Sequence, residues 1–374
     1  MAKIAFIDVT ATVSYGGIQT AVWSLAQAIS VLGHEVTVVG GTNTEQRQFP
    51  EGIRTLTFPY TSREKFPNFG SRFRKLAERL SFAYHARKNV EAERFDWIIL
   101  TKPLDFFWTS VVSTSDTTQF AFMSGGRDFI ALDRWFVQRF HAWLSCSHFN
   151  AWQIHARYKR FATVIFNGVD TNLFKPIEDR SRLRQRLGFL DNDIVFTYAG
   201  RMVGWKGLAH AIDALAQPIL SDVSARLLLI ADGPMLSQLQ ERAEELGVIR
   251  RVVFHEAVPH RDLPAYYAAA DVGIFPSIGD EAFGITIAEA MSCARPVIAS
   301  YIGGIPEVVG NEESCGLLVA PGNVAALAHA MHKLAGSGEL RQQMGQAGRK
   351  RVERLFTWDA SARRLLRTLG LACG

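Results

Sequence analysis

Short apolar runs alternate with helix-period segments along the whole chain, in two successive series. The first series comprises Lys3–Val9, Glu35–Val39, Trp97–Leu100, Gln119–Met123 and Thr163–Phe166. The second lies near 194–199, 226–231, 252–254, 272–275 and 296–299. Runs this short, bounded by turn residues and followed by helical periodicity, read as buried strands of parallel sheets. Ile18–Leu32 has that periodicity and ends at Gly33, a suitable C-terminal cap. A charged helix is expected over 338–355 and another over Trp358–Leu369. Between the series stands Asn167-Gly168, a turn dipeptide, and the boundary is expected within Asn167–Pro176. The 374 residues suit two domains. The expected class is therefore α/β, with two Rossmann-like domains. There is no internal repeat and no low-complexity tract.

Composition excludes several alternatives. About half of the chain is apolar and 21% is charged, enough to bury true cores. The 4 cysteines (Cys146, Cys293, Cys315, Cys373) are scattered, without metal-ligand spacing. That argues against a disulfide framework and a zinc site. The chain opens on Lys3 and a short strand rather than a signal peptide. No apolar run reaches the roughly 18 residues that would span a bilayer. A cytoplasmic protein is expected.

Two carboxylates carry the strongest hint of chemistry. Glu281 and Glu289 frame the segment EAFGITIAE. Glu281 precedes a Phe-Gly pair on a loop. Glu289 falls on the second turn of a helix expected to begin near Phe283. The free backbone N–H groups of Phe283, Gly284 and Ile285 would suit a phosphate, and the carboxylates would accept from hydroxyls. Hydroxyls at each end and phosphate between them describe a sugar nucleotide. Upstream, the run 194–199 leads into Gly200-Arg201 and Lys206-Gly207. Two cations at the carboxyl end of a strand, where open α/β sheets bind ligands, can hold a diphosphate. Asp191-Asn192-Asp193 lies in a polar loop before a strand and reads as a turn, not a metal site.

The ordered set resembles the retaining glycosyltransferases of family 4, which have the GT-B fold. It runs from Ser14-Tyr15-Gly16-Gly17 through Asn167-Gly168-Val169-Asp170, Gly200-Arg201, Lys206-Gly207 and Asp232-Gly233-Pro234. It ends with Glu281, Glu289 and Gly303-Gly304-Ile305-Pro306-Glu307. The resemblance implies two Rossmann-like domains facing across a cleft. Residues 1–168 would hold the acceptor, with the helix 356–374 packing back on them, and 169–355 would bind the nucleotide sugar. It implies transfer of a hexose from a nucleotide-diphosphate sugar to a saccharide or lipid-linked acceptor. The role expected is synthesis of cell-surface polysaccharide or lipopolysaccharide. Glu281 would hold donor-sugar hydroxyls and Glu289 the ribose. Arg201 and Lys206 would stabilise the diphosphate without a metal, and no cofactor is expected. Gly16 and Gly17 would let the first domain approach the phosphates. Other enzymes of this fold, such as a sugar-nucleotide epimerase, and a non-catalytic nucleotide-sugar binder remain as alternatives. A degenerate binder should have lost part of the Arg201, Lys206, Glu281, Glu289 set.

Two stretches depart from the family pattern. Relatives commonly carry a histidine where this chain has Met123-Ser124-Gly125-Gly126-Arg127-Asp128; two readings stay open for Arg127 and Asp128, the acceptor side and a solvated salt pair. His255-Glu256-Ala257-Val258 stands where a glycine is usual, so the base stays open.

Charge is uneven. Net charge is +5, and 62–94 holds nine Lys/Arg against four Glu, interleaved with Phe66, Phe69, Phe73, Leu76, Leu80 and Phe82. A basic amphipathic segment suits an anionic membrane surface, which would put the protein peripherally on the inner face of the plasma membrane; the alternative is a solvated basic helix packed by its apolar face. No recognised nucleic-acid motif accompanies the charge.

Overall fold

The computed structural model describes residues 1–14, 16–42, 49–112, 118–126 and 131–373. The chain divides into two compact units, Met1–Gly168 with Trp358–Gly374, and Val169–Thr357.

Among the described residues, unit 1 is built on seven parallel strands: β1 (Lys3–Ile7), β2 (Glu35–Gly41), β3 (Arg54–Phe58), β4 (Trp97–Leu100), β5 (Gln119–Ser124), β6 (Ala142–Ser145) and β7 (Thr163–Val164). Their order is β3-β2-β1-β4-β5-β6-β7. Unit 2 has β8 (Ile194–Ala199), β9 (Ala225–Ile230), β10 (Val252–His255), β11 (Val272–Phe275), β12 (Val297–Ser300) and β13 (Gly316–Val319), in the order β10-β9-β8-β11-β12-β13. Both sheets reverse direction of growth beside their first strand, between β1 and β4 and between β8 and β11. Ligands of doubly wound sheets bind at such switch points, outside the carboxyl ends of the strands.

Each unit-1 face has its own core. On one face the helices Gly17–Val31 and Trp358–Thr368 pack together, burying Val22, Leu25, Ile29, Leu365 and Leu366 against Ile4, Phe6 and Val36. On the other, Phe82, Ala83, Ala86 and Val90 of the helix Ser71–Glu93 meet Phe106, Trp108, Phe122 and Trp143.

The differences from expectation have physical causes. β3, β6 and β13 were not anticipated. β3 is a half-solvated edge strand of sequence RTLTF, and β13 is likewise at an edge. The helix expected near Phe283 begins at Ile285 instead. Phe283 is 2% exposed and packs edge-on against Phe356, at 5.4 Å between centroids. Gly284, at φ +99°, then turns the chain into the helix.

The basic segment 62–94 is not uniformly a surface. Arg79 and Glu78 lie inside the protein with Phe82. Arg79 falls at helical spacing from Phe82, Ala83 and Ala86, so it belongs to the buried stripe.

Candidate functional site

Three loops converge at the carboxyl ends of β8, β11 and β12. After β8 the chain passes through Gly200, Arg201 and Met202 into a short turn, Gly204–Lys206. Gly207 follows at φ +67°, and a Cβ there would collide with the Pro276 carbonyl just beyond β11. The amides of Ile278 and Gly279 both donate to the Trp205 carbonyl, at 2.8 and 3.2 Å. The loops after β8 and β11 are thereby stitched together. The third loop closes on the same place. The amide of Gly304 donates to the Glu281 carbonyl at 2.7 Å, and Gly303, at φ +61°, leaves no room for a Cβ against the Glu281 backbone. Two glycines that sequence flagged as motif positions are thus required by backbone contact.

This stitching brings Lys206 to Glu281. The ammonium donates to Glu281 Oε2 at 2.5 Å, with 16% and 19% of the two side chains exposed. The same ammonium stands 4.3 Å from the centre of the Trp205 ring, a cation–π contact. Arg201 is solvent-exposed, and its carbonyl accepts from the Tyr198 hydroxyl at 3.1 Å. Burial, and next the charge of Glu281, push the Tyr198 phenol above its ordinary value, against the pull of Arg201. Asp232-Gly233-Pro234 supports the Arg201 loop from behind. Met202 donates to the Asp232 carbonyl at 2.8 Å, and a Cβ on Gly233 would strike the Met202 backbone.

The helix Ile285–Ser292 starts beside the pair. Gly284 provides no side-chain cap, and the N–H groups of Ile287 and Ala288 are taken by its carbonyl. Those of Ile285 and Thr286 have no acceptor among the described residues. Two free donors and the positive end of a helix suit an anion.

Glu289 falls on the second turn of this helix and is 2% exposed. Its Oε1 accepts from His260 Nε2 at 2.6 Å. Its Oε2 is buried with no hydrogen-bond partner among the described residues. Burial works against a charge on His260, but the hydrogen bond to Glu289 and the charges of Glu289 and Asp170 outweigh it, raising the imidazole above its ordinary value. His260 was not identified from sequence, where it is a lone histidine in a polar loop.

In unit 1, the helix Gly17–Val31 begins directly after Gly16. A Cβ on Gly16 would stand 2.8 Å from Gln19 Oε1. Gln19 Nε2 donates to Thr10 Oγ1, at 2.8 Å, and so does Lys102 Nζ, at 3.1 Å. Below them Asp8, at the end of β1, accepts from Thr10 and from Thr101 Oγ1. Sequence reasoning missed this polar network, whose members are 93 residues apart. Arg127 and Asp128 lie outside the described residues.

Residues 15–173 match the family description Glycosyltransferase Family 4, and residues 179–351 match Glycosyl transferases group 1. The chain belongs to the family 4 glycosyltransferases.

Among curated relatives, this family 4 chain is 34% identical over 209 residues to a GDP-mannose-dependent phosphatidylinositol monomannoside mannosyltransferase of Mycolicibacterium smegmatis, covering 54% of each protein. It is 35% identical over 211 residues to a D-inositol 3-phosphate glycosyltransferase of Corynebacterium glutamicum, covering 54% of this chain and 50% of that one. The matched region spans about half the length of these relatives. Two solved structures share the fold end to end. Sucrose-phosphate synthase from Thermosynechococcus elongatus has a TM-score of 0.82 at 24% identity, covering 99% of this chain and 98% of its own. An Anabaena protein crystallised with UDP and glucose has a TM-score of 0.79 at 22% identity, covering 99% and 100%. The fold is GT-B, with two Rossmann-like domains.

Proposed function

We propose that the chain is a nucleotide-sugar-dependent glycosyltransferase that moves a hexose, with retention of configuration, to a saccharide or lipid-linked acceptor. The observation that carries this reading is the Lys206–Glu281 contact at the β8/β11 switch point, beside the uncapped helix Ile285–Ser292. An ammonium has three donors, so pairing with Glu281 leaves Lys206 two for phosphate oxygens. Arg201 adds an exposed cation on the same loop. Fixed cations and helix N–H groups can absorb the charge that develops on a departing nucleoside diphosphate, which supports metal-independent transfer. Glu281 takes the sugar hydroxyls and Glu289 the ribose. The complete set favours transfer over a degenerate binder.

The test is binding of UDP, GDP and ADP in the presence of a chelator. Wild type is expected to bind one of them, and Lys206→Ala and Arg201→Ala to bind it about ten- to hundredfold more weakly, since each removes a charge-assisted contact of about 1.5–3 kcal/mol. Unchanged affinity in both variants would sink the phosphate clamp. The anomeric configuration of the product, read by NMR, tests retention.

The acceptor reading extends to a role in surface polysaccharide or lipopolysaccharide synthesis, at an anionic membrane. Exposed Phe69 (75%), Phe73 (43%), Leu80 (47%) and Tyr84 (71%) stand among Lys65, Arg72, Lys75, Arg87 and Lys88. Among the described residues no helix is long and apolar enough to cross a membrane. Vesicles containing anionic lipid are expected to retain the protein at low salt and release it at high salt. Equal retention by neutral vesicles, or none by anionic ones, would remove the charge argument.

A further inference from the structure

Glu289 is closed off from solvent. Its side chain is 3% exposed, one oxygen is held by His260, and the other is buried without a partner among the described residues. A buried carboxylate oxygen without a donor is costly, and the phenol of Tyr267, which feels the Glu289 charge, does not relieve it. Tyr267 gives its hydroxyl to the Thr286 carbonyl, at 3.3 Å. Of the groups around this carboxylate, Tyr267 is 0% and Phe174 1% exposed, whereas the His260 side chain is 50% exposed. His260 alone of these can swing into solvent without opening the core. It sits on a three-residue turn after β10, its ring 5.0 Å from that of Phe174. The Phe174 backbone is itself fixed by Ser292 Oγ and Arg349, each at 2.6 Å.

We propose that His260 is a displaceable cap on Glu289, which the ribose of the incoming nucleotide must push aside to reach the carboxylate. The proposal rests on the reading of Glu289 as the ribose acceptor. A vicinal diol supplies two donors, one replacing the imidazole and one satisfying the orphan oxygen. Binding then becomes linked to protons. The groups facing His260 are Glu289 on its helix and Asp170 before it, with Arg261 and Asp262 adjacent in its own turn. Glu289 in turn faces Tyr267 and Cys293. His260 is raised in the capped state by its contact with Glu289. Breaking that contact lowers it, so binding releases protons and tightens as pH rises through the imidazole range.

The experiment is calorimetric titration of UDP, of GDP and of ADP into wild type, His260→Gln and His260→Ala, from pH 6 to pH 8.5, in buffers of different ionisation enthalpy. The secondary phosphate ionisation of the probe, near pH 6, is common to all three proteins and cancels. Wild-type affinity is expected to rise about fivefold more than that of His260→Gln over this range, with net proton release. Both variants are expected to bind more tightly than wild type at pH 6. Parallel pH curves, or weaker binding by both variants at every pH, would overturn the cap; the second result would make His260 a supporting group. If wild type binds and the 2′-deoxy nucleotide binds equally well, the ribose contact itself fails. Binding of none of UDP, GDP and ADP by any of the three proteins would overturn the nucleotide reading, and the cap with it.

Discussion

Glu281→Ala is expected to lower kcat/KM for sugar transfer by about a thousandfold, or about 4 kcal/mol of transition-state stabilisation, while the protein stays folded. The size follows from what one carboxylate does here. It would accept from two sugar hydroxyls in a site shielded from water, and each hydrogen bond to a charged group is worth about 1.5–3 kcal/mol. It also fixes the Lys206 ammonium, its partner at 2.5 Å. Without it Lys206 is free to turn over Trp205 or into solvent, and the clamp on the diphosphate loosens. Folding is spared because Glu281 lies on a loop, and its structural contact is made by its backbone carbonyl to Gly304, which alanine retains. Glu281→Gln separates the two contributions. It keeps an acceptor for hydroxyls but drops the charge beside Lys206, so an intermediate loss is expected. The check is steady-state release of nucleoside diphosphate from the donor identified by binding, with thermal melts of each variant. Wild-type turnover by Glu281→Ala would remove this residue from the site.

How much of this was legible in the sequence depended on where each residue's neighbours lie. Runs such as 194–199 and 272–275 announce buried central strands because both faces are covered, so apolar residues follow one another without alternation. RTLTF at β3 alternates and sits half in solvent at an edge, which leaves only a weak signal. The pairing of Lys206 with Glu281 spans 75 residues, and no local pattern encodes it. Only the ordered set of motifs placed the two together. His260 and Glu289 are separated by 29 residues, and a single histidine in a polar loop carries no periodicity to mark it. Arg79 is different. Its spacing to Phe82, Ala83, Ala86 and Val90 places it on the apolar stripe, so the signal for burial was there and charge counting hid it.

Arg79→Met is accordingly expected to destabilise unit 1 by about 3–5 kcal/mol, the cost of removing one partner from a buried ion pair. The Arg79 side chain is 4% exposed, hydrogen-bonds Asp105 and stands 3.6 Å from Asp8. Lys102 flanks Asp8 on the other side, also at 3.6 Å. Burial opposes a charge on Arg79, but Asp105 and Asp8 hold it above its ordinary value. Asp8 is raised by burial yet more than offset by Lys102 and Arg79, so it lies low. Asp105 goes the other way: burial dominates, the charge of Asp8 adds to it, and the carboxyl is raised. Its Oδ1 has no partner among the described residues. Methionine preserves much of the volume of the stem and leaves two carboxylates facing one lysine. An acid raised in the folded state binds its proton more tightly there than in the unfolded chain, so its penalty is present at high pH and is relieved as pH falls. The loss in Arg79→Met should therefore shrink between neutral pH and about pH 5, where the unfolded carboxyl is still ionised. Urea melts at the two pH values check it, with Asp105→Asn in the same background as the matched rescue. A loss under about 1 kcal/mol, the range of surface pairs, would mean that the cluster is hydrated. The same variant tests what the cluster is for. Asp8 and Lys102 hold Thr10, and Thr10 holds Gln19 under Gly16. If this network positions the glycine loop, donor turnover should fall in Arg79→Met even at temperatures where the protein remains folded, and Asp105→Asn should restore stability before it restores rate.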